Sequence, residues 1–520
     1  MSLSMSMSMD MLRAVAIPVL AIVLAAFYIS RKSKKKGSGL PSPPGPPGLP
    51  FVGNLLQKFN YDTMYQLSKK YGPLMTLHLG SVPTLVVSSA RMAKEIYKTN
   101  DLNFSDRPTM QGQKLLSYNG VDMAFARYSN SWREMKKFST HHLFTAKRVQ
   151  SFRPIRDDEI STMLRAISEI AATPDKLIEV SKMTLDFTIA VISRIAFGMR
   201  CDEDIIGKDK FKRIFTDSQL VLSNFYFADF FPLLGWVDRL NGIKTTTDRS
   251  FNDLDVLYQA LIDEHLKPGR RESGKEDFID IFLDKVQNND STVPLTIDTI
   301  KSVIMNLLGG GADSTTGTIV GGMMALLQYP EATKKAQEEI RRVIGNKTKV
   351  DEDDIQNLPY TRAFMKEAMR MYPPFPLLVP RLSTESCIIG PDADHMYDIK
   401  ANTIVYVNAF AVGRDPEAYE KPLEFKPERF LERPDIDYRG HNFELIPFGA
   451  GRRRCPGMEM GAATSEIAIV NLLYAFDWSL PEGAHVDYEL LPGLTMHRKN
   501  KLWVRPREYA GYRQALNSQG

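Results

Sequence analysis

Residues 302–327 place the tightest limit on how this chain folds. The stretch is apolar and long enough to cross a bilayer, with Gly317 and Gly321 in a GxxxG spacing. It also carries Asn306, Asp313 and six glycines. Each glycine costs a helix ~1 kcal/mol relative to alanine. A second membrane span would tolerate the glycines but not easily a central aspartate. A helix buried inside a protein, with a flat ligand close against its bare backbone, accommodates both.

The 520 residues are 43% hydrophobic and 25% charged, enough apolar material for a large core and inconsistent with wholesale disorder. The formal charge is +4, but residues 1–40 carry +5 of it, leaving the rest at −1. A near-neutral body argues against a nucleic-acid-binding protein. The cysteines, Cys201, Cys387 and Cys455, form no CxxC pair and no Cys/His cluster. That excludes a disulfide framework and zinc ribbons or fingers.

Residues 14–29 are free of charge and end in the basic run RKSKKK at 31–36. A cleaved signal peptide would have its basic end before the apolar core, so the order here predicts an uncleaved anchor. Basic residues tend to stay cytoplasmic. The expected organisation is a lumenal segment 1–13, a single transmembrane anchor 14–30, a basic stop-transfer run with a proline-rich hinge 31–50, and a cytosolic domain 51–520. On this reading the sequons at Asn103, Asn289 and Asn346 never meet the glycosylation machinery. Six prolines in LPSPPGPPGLP, residues 40–50, make a stiff extended strut.

In the body, 74–80 and 84–89 alternate around Ser81, Val82 and Pro83, which predicts a hairpin. Residues 397–407 read as another strand. A helix is expected over 331–344, with Glu331 spaced to pair with Lys334 and Lys335 and Gly345 as its cap. Helical patterns dominate the remainder, so the fold class is mainly α with small β-sheets.

The segment FGAGRRRCPG, residues 448–457, carries the chemistry. Gly449 and Gly451 permit a tight loop, and Cys455 follows three arginines and precedes a helical run. A thiol in a positive field near a helix N-terminus should have a lowered pKa. It would serve as a nucleophile or a soft metal ligand.

The segment resembles FxxGxRxCxG, the haem-binding loop of the cytochrome P450 superfamily, at Phe448, Gly451, Arg453, Cys455 and Gly457. Other segments agree in order and spacing. Glu367 and Arg370 resemble the ExxR helix, and Arg429 in PERF (427–430) would complete a structural Glu–Arg–Arg triad. GGADST, 310–315, resembles (A/G)Gx(D/E)T(T/S) of the long central helix. The resemblance implies that Asp313 and the neighbouring alcohol relay protons. Ser314 stands where threonine is usual and lacks the methyl that restrains its rotamer; Thr315 is an alternative hydroxyl. Trp132 and Lys136 resemble WxxxR, with lysine in place of arginine. With Arg453 and Arg381 they occupy positions that hold the haem propionates.

The likeness runs from the hinge at 43–46 to the region 491–497, and 105–128, 357–381 and 408–416 are similar to plant microsomal members of specialised metabolism. It implies haem b (iron protoporphyrin IX) between the central helix and the cysteine loop, with Cys455 as axial ligand. The implied activity inserts one oxygen atom of O2 into a small, mostly apolar metabolite: a terpenoid, alkaloid, phenolic or aldoxime. No flavin or dinucleotide fingerprint occurs in this chain, so electrons would come from NADPH through a separate NADPH–cytochrome P450 reductase at the endoplasmic reticulum membrane. Arg452, Arg454, Lys136 and Lys137 would offer it a basic face. Expected substrate contacts are 107–125, 222–231, 309–314, 375–379 and 494–495. A ring-forming or coupling enzyme, and a reductase-independent isomerase or dehydratase, are the alternatives.

Overall fold

The computed structural model describes residues 39–519 apart from 174, 201–204, 269–276, 289–294 and 492. The expected anchor, the basic run, Cys201 and Asn289 lie outside the described residues. Among those described, no single helix is long and apolar enough to cross a membrane.

The apolar stretch at 302–327 lies in a central helix over residues 297–328. Thr296 caps its start, accepting from the Thr299 N–H at 3.2 Å in a capping box. An α-helical segment, Ile297–Met305, passes into a π-turn, Asn306–Ala312, and returns to α-helix over Asp313–Gln328. Val303, Ile304, Ile319 and Met323 are wholly buried, so the helix is covered by protein.

Its glycines divide into two groups. Side chains at Gly317, Gly321 and Gly322 would meet Pro374, Tyr372 and Ile469, and one at Gly311 would meet Ile192. These four allow neighbouring segments of the chain to approach, which is a different use from the ligand approach expected for the whole run. Gly310 has nothing within 4 Å of a built Cβ and is exposed between the buried residues Leu308 and Ala312. The bare backbone faces open space there.

Strands β1 (Leu74–Leu79) and β2 (Val82–Val87) form the predicted hairpin, with the turn at Gly80 and Ser81. Val82 and Pro83 belong to the second strand, because Gly80 takes the left-handed φ of +59° that a tight turn needs. The remaining strands are β3 (Ile178–Glu179), β4 (Arg381–Leu382), β5 (Cys387–Ile389), β6 (Tyr397–Ile399), β7 (Ile404–Val407), β8 (Phe476–Ser479) and β9 (Trp503–Glu508). They make sheets of order β1-β2-β7-β4, β3-β9-β8 and β5-β6. The single strand expected over 397–407 is two strands in two sheets. Asn402, at φ +62°, lies in the turn between them.

The proline-rich segment is tied to the body. The Thr76 N–H donates to Pro44 O at 2.9 Å, and Asn54 Nδ2 reaches the carbonyls of Pro46 and Pro47 at 3.3 Å. Pro43 and Pro46 are buried. The helix expected at 331–344 is Pro330–Ile344, capped by Gly345 at φ +61°. Lys335 pairs with Glu428 at 2.8 Å, so its partner comes from tertiary packing and not from its own helix.

The larger core lies where the second half of the central helix meets Pro359–Met371 and Met458–Ala475. Gly321→Ala places a methyl 2.9 Å from Tyr372 Cβ, which cannot swing aside. It should lower stability by about 1–3 kcal/mol. Gly310→Ala should leave the melting temperature unchanged or raise it. Equal losses for the two variants would contradict this division of the glycines.

Candidate active site

The cysteine loop is held by its backbone. The Cys455 N–H donates to Phe448 O at 3.1 Å, and Gly449 and Gly451 take φ of +67° and +68°. A side chain at Gly451 would run into the Asp101 carboxylate and the Tyr97 carbonyl. Asp101 accepts from the Arg452 N–H at 3.1 Å and from its guanidinium at 2.8 Å. Burial pushes the Cys455 thiol up, against the lowered pKa expected from the charge pattern. The Gly457 N–H, Lys136 and Arg454 pull it down but are outweighed. A metal bound to such a thiol displaces its proton outright.

Three arginines from distant parts of the chain converge beside this loop. Arg107, Arg381 and Arg453 are all buried. Arg107 donates to the carbonyls of Ala124, Val379 and Pro380 at 2.9, 2.8 and 2.6 Å. Arg381 donates to Phe104 O and Ala450 O. Arg453 donates to Ser105 O and Ala126 O at 2.7 and 2.6 Å and lies 3.8 Å over the Trp132 ring. Burial, then the Arg381 charge, pushes Arg453 down to about 9. Burial and the charges of Arg381 and Arg453 likewise hold Arg107 well below its ordinary value. Arg453 Nη1 is buried with no hydrogen-bond partner among the described residues. Crowded buried cations with an unused donor suit an anionic ligand.

Trp132 and Lys136, the expected propionate contacts, have backbone partners in the protein. The Trp132 indole N–H donates to Met123 O at 2.9 Å. The Lys136 ammonium donates to the carbonyls of Arg452 and Arg454, at 2.6 and 3.1 Å, beside the cysteine. Lysine presents a compact charge and no fork, and these loop carbonyls occupy it. Arg107, which sequence reasoning assigned only to a substrate loop, joins the cationic cluster instead. No spacing rule connects it to Arg381 or Arg453.

The loop at 121–126 supplies several of these acceptors, and the central helix holds it. Asn306, in the π-turn, accepts from the N–H groups of Met123 and Ala124 and donates to Asp122 Oδ2 at 2.8 Å. Asp122 in turn accepts from the N–H groups of Ala124, Phe125 and Ala126. Asn306 is thus a clamp.

Asp313 is buried and turned toward the C-terminal loop. Its Oδ2 accepts from Thr495 Oγ1 at 2.5 Å and from His497 Nε2 at 3.2 Å. Ser314 donates its hydroxyl to Gly310 O at 2.5 Å, beside the open face. Thr315 is buried and lies 3.7 Å from a Cβ built on Gly461, as does Phe448. The central helix and the cysteine loop therefore meet over Gly461.

Behind the loop, Glu367 receives Arg370 through two bonds of 2.7 Å and Arg429 at 3.1 Å. All three are buried. Two cations against one carboxylate leave a positive charge, which the carbonyls of Gly413, Pro422, Glu424 and Glu420 absorb. Tyr419 covers both guanidiniums.

An apolar cavity lies against the central helix, lined by Leu116, Phe211, Phe215, Gln219, Met305 and Gly309. Leu116 and Gly309 fall in expected contact regions; Phe211 and Phe215 do not. Of the four expected basic-face residues, Lys137 is exposed, Arg452 pairs with Asp101, and Lys136 and Arg454 bond backbone carbonyls.

These residues fit an anionic, metal-bearing group: a partly buried thiol, a cationic cluster with an unused donor, and a bare helix position at Gly310. The model of the cytochrome P450 family matches residues 43–505. A 5-OH-xanthotoxin synthase and a xanthotoxol synthase of Pastinaca sativa are each 50% identical to the chain, over 94% of it and 98% of their own lengths. A strychnine-11-hydroxylase of Strychnos nux-vomica is 40% identical over 91% of the chain and 92% of its own. A zebra fish cytochrome P450, solved with abiraterone, superposes with a TM-score of 0.71 at 22% identity, over 86% of this chain and 99% of its own.

Glu367→Gln leaves two buried guanidiniums without their carboxylate and should cost about 3–5 kcal/mol. Urea denaturation measures it, and a loss below about 1 kcal/mol would show that the carbonyls suffice.

Proposed function

Because the chain belongs to the cytochrome P450 family, we propose that this monooxygenase hydroxylates a ring carbon of a coumarin-type plant metabolite. The observation that carries the reading is the Cys455 loop, which carries the buried, unpartnered Arg453 donor and whose Phe448 meets Thr315 of the central helix at Gly461. The substrate class is supported by relatives whose names describe hydroxylated products, among them the 5-OH-xanthotoxin synthase and a 6,7,8-trihydroxycoumarin synthase of Pastinaca sativa. The cavity holds only about 10 Å³ in this structure and has to open for such a ring, but its lining is largely apolar, with Gln219 as a polar contact.

Haem held by Cys455 supplies oxygen activation when bound. Arg107, Arg381 and Arg453 would hold its carboxylates. Gly310 would leave room beside it, and Phe211 and Phe215 make the cavity wall apolar. Asp313, with Ser314 beside it, passes protons. Electrons come from NADPH through a separate reductase that docks on the cysteine-loop side, where Lys137 is exposed. The 14–30 segment anchors the chain in the endoplasmic reticulum membrane.

The test is the reduced, carbon-monoxide-bound difference spectrum of the full chain beside Cys455→Ser. A far red-shifted band that the variant lacks is expected. Absence of the band from folded wild-type protein overturns the cysteine assignment. Coumarins incubated with NADPH, a reductase and 18O2 should gain one labelled oxygen. Turnover without NADPH would favour an isomerase or dehydratase, and no coumarin product from a spectrally intact enzyme overturns the substrate class.

A further inference from the structure

Asp313 meets solvent-reaching surface through one neighbouring side chain. The Asp313 side chain is 1% exposed, and that of His497 beside it is 39% exposed. Nε2 of His497 is 3.2 Å from Asp313 Oδ2 in hydrogen-bonding alignment, and 3.1 Å from Oδ1 out of alignment. Thr495 already occupies Oδ2 at 2.5 Å. Oδ1 is buried and has no hydrogen-bond partner among the described residues. A carboxyl oxygen with no hydrogen-bond partner among the described residues thus lies within reach of an N–H whose ring extends to water.

The placement of the histidine is built into the backbone. The Leu491 N–H donates to His497 O at 2.8 Å, and the Met496 N–H donates to Pro374 O at 2.9 Å. The first bond closes the loop before β9 on itself, the second ties it to the segment after Pro359–Met371, and the Thr495 hydroxyl bonds Asp313 of the central helix at 2.5 Å.

We propose that His497 is the positioning residue through which solvent protons reach Asp313. A solvent hydronium ion protonates Nδ1 of the Nε2–H tautomer and leaves as water. The Nε2–H bond then breaks as an O–H bond forms at Asp313 Oδ1, and the electron pair stays on Nε2. The Nδ1–H tautomer that remains is reset by exchange with water. One proton moves and nothing is oxidised or reduced. The inference rests on the reading of Asp313 as the proton-passing acid, and it adds the entry point.

The electrostatics agree in direction. Burial lowers the His497 pKa, but the hydrogen bond and charge of Asp313 outweigh it, and the pKa is raised. From the central helix Asp313 faces the ring. On the ring's own loop Arg498 is paired with Asp487 and Lys499 with Glu489. A raised value means that the pair's stabilisation is complete below pH ~6.5 and is lost as pH rises through the higher folded value.

The experiment compares wild type, His497→Gln and His497→Ala as full-length holoenzymes with reductase. Glutamine keeps a donor to Asp313 and cannot carry a proton. The carbon-monoxide spectrum of each variant first establishes that the cysteine site is formed, so a failure of the haem reading is seen separately. The melting temperature of wild type minus that of His497→Gln should shrink as pH rises above ~6.5, and Asp313→Asn should remove this dependence. Substrate turnover should fall about tenfold in His497→Gln and lose the alkaline limb of the wild-type pH profile. His497→Ala should lose turnover at least as far, with KM unmoved in both variants. A His497→Gln enzyme with wild-type turnover and pH profile, or a stability difference independent of pH, overturns the proposal.

Discussion

The burial of three guanidinium groups in one place governs how this molecule is put together. Arg107, Arg381 and Arg453 have backbone carbonyls as their hydrogen-bond partners, at residues as far apart in sequence as Phe104 and Ala450. Each bond fixes one segment relative to another. The loop at 121–126, β4 and the cysteine loop are thereby assembled around a knot of positive charge. Carbonyl dipoles take most of the N–H groups without neutralising the cations, and one carboxylate, Asp101 at 3.8 Å from Arg381, does not balance three charges, so the knot accepts an anion readily. Arg453 retains a buried N–H for that purpose.

The supports around the knot use the same economy of partners. Behind it, one carboxylate, Glu367, ties two guanidiniums, and carbonyls take the surplus. In front of it, the π-turn of the central helix aims Asn306 at the 121–126 loop. That loop then accepts from Trp132, Arg107 and Arg453. A π-turn inserts a residue and shifts the helix phase, which is one way for consecutive residues to serve a loop, an open face and an acid. Asn306, Gly310 and Asp313 do these three things in less than two and a half turns.

The motifs of the cysteine loop, the Glu–Arg helix and the central helix were legible because each is contiguous and chemically unusual. A cysteine after three arginines between glycines, or an aspartate in an apolar glycine-rich run, conflicts with ordinary packing and so marks a purpose. The cationic cluster was less legible. Trp132 and Lys136 are recognisable by spacing, yet their polar groups bind Met123 and the Arg452 and Arg454 carbonyls. Arg107 lies in the SDRP segment that reads as a loop, with no neighbour in sequence to mark it.

What the sequence by itself determined is local: which helix is buried, where the backbone must turn left-handed, which thiol is set apart, and which acid and arginine share a helical face. Period, glycine placement and charge act over a few residues, so they can be read along the chain. What only the tertiary structure decided is the partner of each polar group. It gave Lys335 to Glu428, divided the central glycines between packing and open space, and raised the Cys455 pKa that the charge pattern would have lowered. It also set Thr495 and His497 against Asp313. Desolvation and hydrogen bonding depend on what lies within a few ångströms in space, and 182 residues of chain separate Asp313 from Thr495.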